Sequence, residues 1–495
     1  MAVYAVVSHL KILRLFLRIV GVVTQLLISI LTYRTFRKFV TENTAFVIAV
    51  FYYNIIPKNS TVPDFSNMLL WFSTLVFLSF LEFSLNRGTS ARHPAFFLIA
   101  AGVSTSLLVL SYPTCIFVVL PGCIGIWLLS AAGNRLKNLL IYLGTCGVCG
   151  LGWLAYFLCH MSFRQFLDGL SEMLTDGSHD VGLLGKLKDN LSCLGETFPY
   201  LLVALMIALV FWCFFRFICR KNYRFFLLLI ISLILEQLFV WYRLQKHIEY
   251  PGFVYLLFPL WGIYCYFRRK KSSGELGPVY KALFWFGSIT SLFLLLAAFT
   301  ASNTMLYESA DYMAIGMLVS LCYAERETSE SPVFWKSFVL LFVGLAVIHK
   351  GFLLYNIYGH DTIFVTRQKA EEGPMAGIYG RYSDGYEYNI RGRLLDEFIP
   401  RGSKVLIASH KSIMYLQEDY VICNYSTIST PTIDERLFQY WTLYPDKVPE
   451  YIVWDKGSEG YIATNPEVNA RLVENAELLV DDEGLLIYRL PANPY

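Results

Sequence analysis

The sequence predicts an α-helical polytopic membrane protein of about 12 transmembrane helices, followed by a small C-terminal extracytoplasmic α/β domain. Three observations predict it. Only 16% of the 495 residues are charged and 56% are hydrophobic, whereas a soluble domain carries roughly 25% charge. Apolar runs recur at the length of about 20 residues that crosses a bilayer core. Beyond residue 358 those runs give way to short strand-like segments. A mean hydropathy of +0.48, with 33 Tyr and 38 Phe, suits membrane interfaces and an aromatic-lined cavity. A net charge of +3 argues against a nucleic-acid partner, which needs a clustered basic face.

The spans, in order, cover residues 15–34, 41–57, 67–85, 94–111, 114–131, 138–160, 197–216, 225–242, 251–267, 281–301, 310–324 and 336–357. The runs 41–57 and 310–324 are the shortest, and losing either would flip every later loop. Charge tests the count. One set of alternate loops holds Arg34/Arg37/Lys38, Arg87/Arg92, Arg135/Lys137, Arg216/Arg220/Lys221/Arg224, Arg268 to Lys271 with Lys281, and Arg326/Lys336. The other holds Lys58, Arg164, Lys186, Lys188, Arg243 and Lys246. The asymmetry is about threefold, and basic loops stay in the cytoplasm. The loop near 161–196 and everything after 358 are then outside. Lys11, Arg14 and Arg18 run against this scheme, because they enter the first span from the outer side. The expectation is one more span upstream of Met1. The run Leu15 to Tyr33 is too long for a cleavable signal peptide, and no small-residue cleavage site follows it.

After 358, Ser403–Ser409, Tyr451–Trp454, Glu477–Val480 and Leu485–Arg489 read as strands. Tyr388–Ile399 carries Ile390, Leu394, Leu395 and Phe398 at helical spacing until Pro400 and Gly402 stop it. These are a domain 1–357 in the membrane and a domain 358–495 outside it. The outer domain has no P-loop, dinucleotide glycine turn or nucleophile elbow, so it reads as a lid or recognition module. Of 11 cysteines, nine lie in or beside apolar runs; Cys193 and Cys423 do not. Cys146-x-x-Cys149 has metal-ligand spacing but sits inside a span without His beside it, so both read as small packing residues and no metal site is predicted.

Charge at membrane depth is costly and often functional. Glu236 falls in span 225–242, and His349 and Lys350 fall in 336–357. Each either lines a polar cavity or serves an interhelical pair, and Lys350 can also snorkel outward. Glu82, near a cytoplasmic end, can snorkel. In the outer loops, Arg243, Lys246, His247 and Glu249 converge within seven residues. Such cations beside apolar spans can grip a lipid-linked phosphate whose tail stays in the bilayer. Asp176, His179 and Asp180 form a second polar run, which with Gly177 and Ser178 also makes a plain turn. Asp64 in the short outer loop is a general-base candidate or a helix cap.

Several stretches then resemble one class. Leu15–Lys38 is an apolar helix ending in basic residues, Ser111-Tyr112-Pro113-Thr114 is a Tyr-Pro turn between middle spans, and Ser426–Tyr444 with Pro445 to Pro449 is an external tail. With many spans and an external α/β domain, they resemble the GT-C glycosyltransferases, bacterial membrane enzymes that use polyprenyl-phosphate sugars. The resemblance covers nearly the whole chain in architecture. It implies a polyprenyl-phosphate sugar donor, a cell-envelope glycan or lipid acceptor, an inverting transfer by a carboxylate base, and a divalent metal or cations on the phosphate. The class keeps its catalytic acid in the first external loop, yet residues 1–40 contain no Asp or Glu. If Leu15–Lys38 matches the second span of the class, that loop lies upstream of Met1; otherwise the chain is a non-catalytic envelope-assembly partner. A transporter or flippase of lipid-linked glycans is a further alternative, without visible repeated halves.

Overall fold

The computed structural model describes residues 13–55, 61–86, 94–174, 184–189, 191–192, 252–273, 277–300, 310–328, 367–371, 375–409, 412–425, 433, 435–458 and 466–491. The chain divides into two compact units, one of Val20–Ile363 and one of Phe364–Tyr495 with Met1–Ile19.

The first unit takes up α1 (Leu13–Phe36) from Val20 on, and continues with α2 (Glu42–Asn54) and α3 (Phe65–Leu85). On α1 the polar residues Gln25, Ser29, Thr32 and Thr35 are buried, while Val22, Val23, Leu26, Leu27, Ile30 and Leu31 are exposed. A soluble helix does the reverse; an apolar outer face belongs in lipid. α3 is central, with Leu69, Leu70, Phe77, Phe80, Leu81 and Phe83 all buried.

α2 is shorter than the predicted span 41–57. Thr41 caps it, and it ends at Asn54 with Ile55 already extended. Pro57 follows, and a proline disfavours helix in the residue before it. Thirteen residues rise only about 20 Å. The carbonyls freed by this early end are taken up from α1. Gln25 Nε2 donates to Tyr52 O at 2.9 Å and Ile55 O at 3.1 Å. Its own Oε1 accepts from Trp71 Nε1 on α3 at 2.6 Å. The carbonyl oxygen of Thr61 would lie 2.1 Å from any Cβ on Gly21. Glycine is required there, since backbone cannot swing aside.

Next come α4 (Pro94–Ser111), a 3-10 turn Pro113–Val118 leading into α5 (Val119–Leu129), α6 (Arg135–Leu158) and α7 (Phe163–Leu174). Pro113 stands at the first position of its turn, which suits a residue without an N–H. The predicted span 114–131 is thus a 3-10 turn plus a short helix. α8 (Gly252–Ser273) follows. α9 (Pro278–Ala282) passes through a π segment Leu283–Ile289 into α10 (Thr290–Thr300), and α11 spans Ala310–Thr328. Phe286 of the π segment stacks on Phe80 at 4.4 Å and lies against Gly125.

Among the described residues, five stretches are long and apolar enough to cross a membrane: Phe16–Phe36, Phe65–Leu85, Pro94–Ser111, Ala132–Leu158 and Pro278–Thr300. The predicted spans 197–216, 225–242 and 336–357 lie outside the described residues.

Helix ends alternate between two faces of this unit. Lys38 pairs with Glu82, Thr41 N reaches Glu325 at 2.8 Å, and Arg269 covers the Tyr280 ring at 4.9 Å. That is the basic end. At the other end Phe65 stacks on Tyr112 at 5.9 Å, and Tyr112 meets Tyr312 at 5.9 Å. Lys38 follows α1, and Arg135, Arg269 and Lys281 lie near the ends of α6, α8 and α9, all at the first end.

The second unit holds a two-stranded ribbon, β1 (Arg367–Lys369) with β2 (Tyr379–Arg381), then α12 (Tyr382–Phe398). The main sheet uses β3 (Lys404–Ala408), β4 (Val421–Ile422), β5 (Tyr451–Asp455), β6 (Glu477–Asp482) and β7 (Leu485–Arg489) in the order β4-β3-β5-β7-β6. β3 runs parallel to β4 and β5, and β7 antiparallel to β5 and β6. Strand residues alternate faces. Leu406, Ala408, Ile452 and Trp454 pack under α13 (Glu435–Leu443) and α14 (Pro466–Val473). Val405, Ile407 and Val453 pack with Leu395 and Ile399 on the α12 side. The four predicted strands and the helix before Pro400 are present, with α12 starting earlier than predicted.

Candidate functional site

Of the predicted candidates, Asp64 lies among the described residues, at the end opposite the basic one. Its Oδ1 accepts from Asn67 N at 2.8 Å and Asn67 Nδ2 at 2.9 Å, so it caps α3. A carboxylate so placed satisfies helix donors that the apolar surroundings could not. The cap reading of Asp64 is the one realised. Asp176, His179, Asp180, Glu236, Arg243, Lys246, His247, Glu249, His349 and Lys350 lie outside the described residues.

Lys186, which sequence reasoning counted only among the loop cations and not as a site residue, stands at this same end. It lies on a short helix over 184–189 and is 3% exposed. Its ammonium lies 3.5 Å from Phe299 O, near the C-terminal end of α10. Burial lowers its pKa from the ordinary lysine value, while the negative end of the helix dipole favours a cation there. α10 packs along the Pro113–Val118 turn, so Lys186, the Phe65–Tyr112–Tyr312 aromatics and Asp64 all belong to one end. The available signal was a Lys-x-Lys pair, Lys186 and Lys188, inside an otherwise apolar-flanked stretch.

The basic end carries a cleft of about 520 Å³ lined by Lys38, Phe39, Val40, Thr41, Arg269, Tyr280 and Glu325. Glu325 is buried and takes the Thr41 N–H at the α2 N-terminus, where a negative charge is favoured. Glu82 accepts from Thr35 Oγ1 at 3.0 Å and from Asn86 Nδ2 at 2.9 Å besides pairing with Lys38. Glu82 is thus held in a pair, not snorkelling alone.

In the second unit, Asp455 is fully buried. It accepts from Ser409 Oγ at 2.7 Å and Gly457 N at 3.0 Å, and pairs with Arg391 at 3.1 Å. Arg391 also donates to Glu483 O at 3.2 and 3.3 Å. This network fastens the ends of β3 and β5 to α12 and to the β6–β7 turn. Among the described residues, no three His, Cys, Asp or Glu side chains converge as metal ligands. Cys146 and Cys149 are free thiols.

No family model and no curated protein matches the chain. Solved structures of the oligosaccharyltransferase of Archaeoglobus fulgidus are similar to it. One, tethered to an acceptor peptide with an NVT sequon, shares 13% identity at a TM-score of 0.42, over 98% of this chain and 65% of its own. Another, of that archaeal enzyme AglB with an inhibitory peptide and a dolichol-phosphate, shares 14% at 0.40, over 98% and 66%. A third, with Zn and sulfate, shares 13% at 0.39, over 97% and 62%. The chain therefore spans just under two thirds of the length of these proteins. Scores this low carry neither fold detail nor activity across to this chain.

Proposed function

We propose that the chain is a membrane glycosyltransferase that moves a sugar from a polyprenyl-phosphate donor to a cell-envelope acceptor at the outer face of a bacterial cytoplasmic membrane. The observation that carries this reading is the alternation of helix ends. It gathers Lys38, Arg135, Arg269 and Lys281 at one face of the first unit and leaves the buried Lys186 at the other. By the positive-inside rule the Lys186 face is external. The donor phosphate would be held by Lys186 with Arg243 and Lys246, and its tail would lie along the apolar helix faces. In the reaction the acceptor hydroxyl attacks the anomeric carbon, the bond to the phosphate oxygen breaks, and a carboxylate takes the proton. The base is left unassigned, because Asp64 is engaged as a cap.

The test is a chromatographic assay of the whole chain in lipid nanodiscs with polyprenyl-phosphate sugars. Transfer or donor hydrolysis is expected, with donor binding reduced at least tenfold in Arg243→Ala/Lys246→Ala. Unchanged donor binding in that variant removes the assigned phosphate grip. One observation favours the non-catalytic partner instead: Asp64, the predicted base candidate among the described residues, is engaged at the α3 N-terminus. Donor binding without turnover is the outcome that reading expects.

A further inference from the structure

α7 carries a surface that the transfer reading does not use. α6 ends at Leu158, and a new helix starts at Phe163 after a reciprocal cap. Gln165 N donates to Ser162 Oγ at 3.2 Å, and Ser162 N donates to Gln165 Oε1 at 2.8 Å. Such a cap fixes a fresh start and lets the chain change direction.

The two faces of α7 differ. Phe163, Phe166 and Leu167 recur at i, i+3 and i+4, on one side. Arg164, Gln165 and Asp168 occupy the opposite side and are exposed. Phe166 meets Trp153 at 6.2 Å and Phe157 at 6.1 Å. That contact anchors the apolar face beside α6, yet Phe163 stays 58% and Leu167 45% exposed.

Depth follows from α6. Near its lower end Arg135 lies 5.7 Å from the Trp127 ring, and near its upper end Trp153 and Tyr156 are exposed. Trp and Tyr mark the two membrane–water boundaries. Arg135 to Trp153 rises about 27 Å at 1.5 Å per residue, close to the ~30 Å of a hydrocarbon core. The ring contact of Phe166 with Trp153 holds α7 beside the upper boundary.

We infer that α7 lies in the membrane interface, with Phe163 and Leu167 inserted among the lipid acyl chains of the leaflet at the Lys186 end. The occupant is lipid and not protein, because the apolar face continues that of an exposed membrane-crossing helix at the same depth. Arg164 and Asp168 oppose one another at 4.0 Å, so binding needs no anionic lipid.

The experiment places the photoreactive residue benzoylphenylalanine at 163 or 167, and at 164 or 168 as controls, in the full chain in phosphatidylcholine nanodiscs. After irradiation, intact-mass spectrometry reads lipid adducts. Adducts at 163 and 167 at least fivefold above the controls are expected, with the same yield when anionic lipid is added. Equal adducts on both faces, crosslinks to protein only, or a yield that appears only with anionic lipid would each overturn the inference. Replacing Phe163 by another aromatic residue keeps the fold testable, and the monodispersity of each variant is checked beforehand.

Discussion

At the scale of single residues, Gln25 has the most tightly specified role. It donates twice to carbonyls at the end of α2 and accepts from Trp71, so one amide joins three helices. Hydrogen bonds between helices in lipid contribute about 1 kcal/mol each, and a buried carbonyl left bare costs about 1–3 kcal/mol. Gln25→Leu should therefore destabilise the first unit by about 2–4 kcal/mol, read as a lowered melting temperature in detergent, with Trp71→Phe giving the smaller part. Cys423 permits a pH prediction in the second unit. Burial pushes its thiol up to about 12, against smaller opposite pulls from Lys447 and Lys404. The folded state thus holds the proton more tightly than the unfolded one. The contribution is complete below pH 9 and is lost as pH rises from about 9 toward 12. Thermal melts of the whole chain should show the second unit weakening over that window, less steeply in Cys423→Ala. Native Cys423 should also resist alkylation at pH 8. None of these roles was legible beforehand. A glutamine in an apolar run gives no clue that its partners are carbonyls 27 and 30 residues on.

At the scale of elements, periodicity and length were good guides where the backbone stays in regular helix or strand. The spans 67–85 and 94–111 match α3 and α4 closely, and strand runs bounded by turn residues match β3, β5, β6 and β7. The guide failed where backbone leaves the helix inside the bundle. α2 stops a turn early, and the chain after Tyr112 begins as 3-10 helix, because Pro57 and Pro113 decide locally what an apolar run conceals. Such irregular backbone is tolerated at depth only when other groups satisfy it. Gly21 is the steric half of that arrangement. Gly21→Ala would set a Cβ against the Thr61 carbonyl oxygen, forcing the segment before α3 to move. A loss of about 1–3 kcal/mol is expected, visible as a lowered melting temperature, whereas Gly144→Ala on the open face of α6 should be neutral.

At the scale of the whole molecule, charge asymmetry made the two ends of the helical unit readable before any coordinate. The same bookkeeping predicts that a peptide tag after Tyr495 is reached by antibody on intact cells once the envelope is permeable to it, while a tag inserted after Gly133 is reached only after membrane lysis. Protection of the first tag would reverse the orientation and remove the transfer reading. The candidate site was far less legible. Sequence shows the composition of its ionisable residues but not their convergence, and the buried Lys186 announces itself only once the Phe299 carbonyl stands beside it. Asp455 likewise looks like the polar end of a strand until Arg391 and Ser409 close on it. The Gln25 junction also bears on how the chain is made. While α1 alone occupies the bilayer, its amide faces hydrocarbon without an acceptor or donor, at a cost that only α2 and α3 can relieve. Biogenesis therefore favours holding the first helix back until its two successors have been synthesised, and releasing the three together.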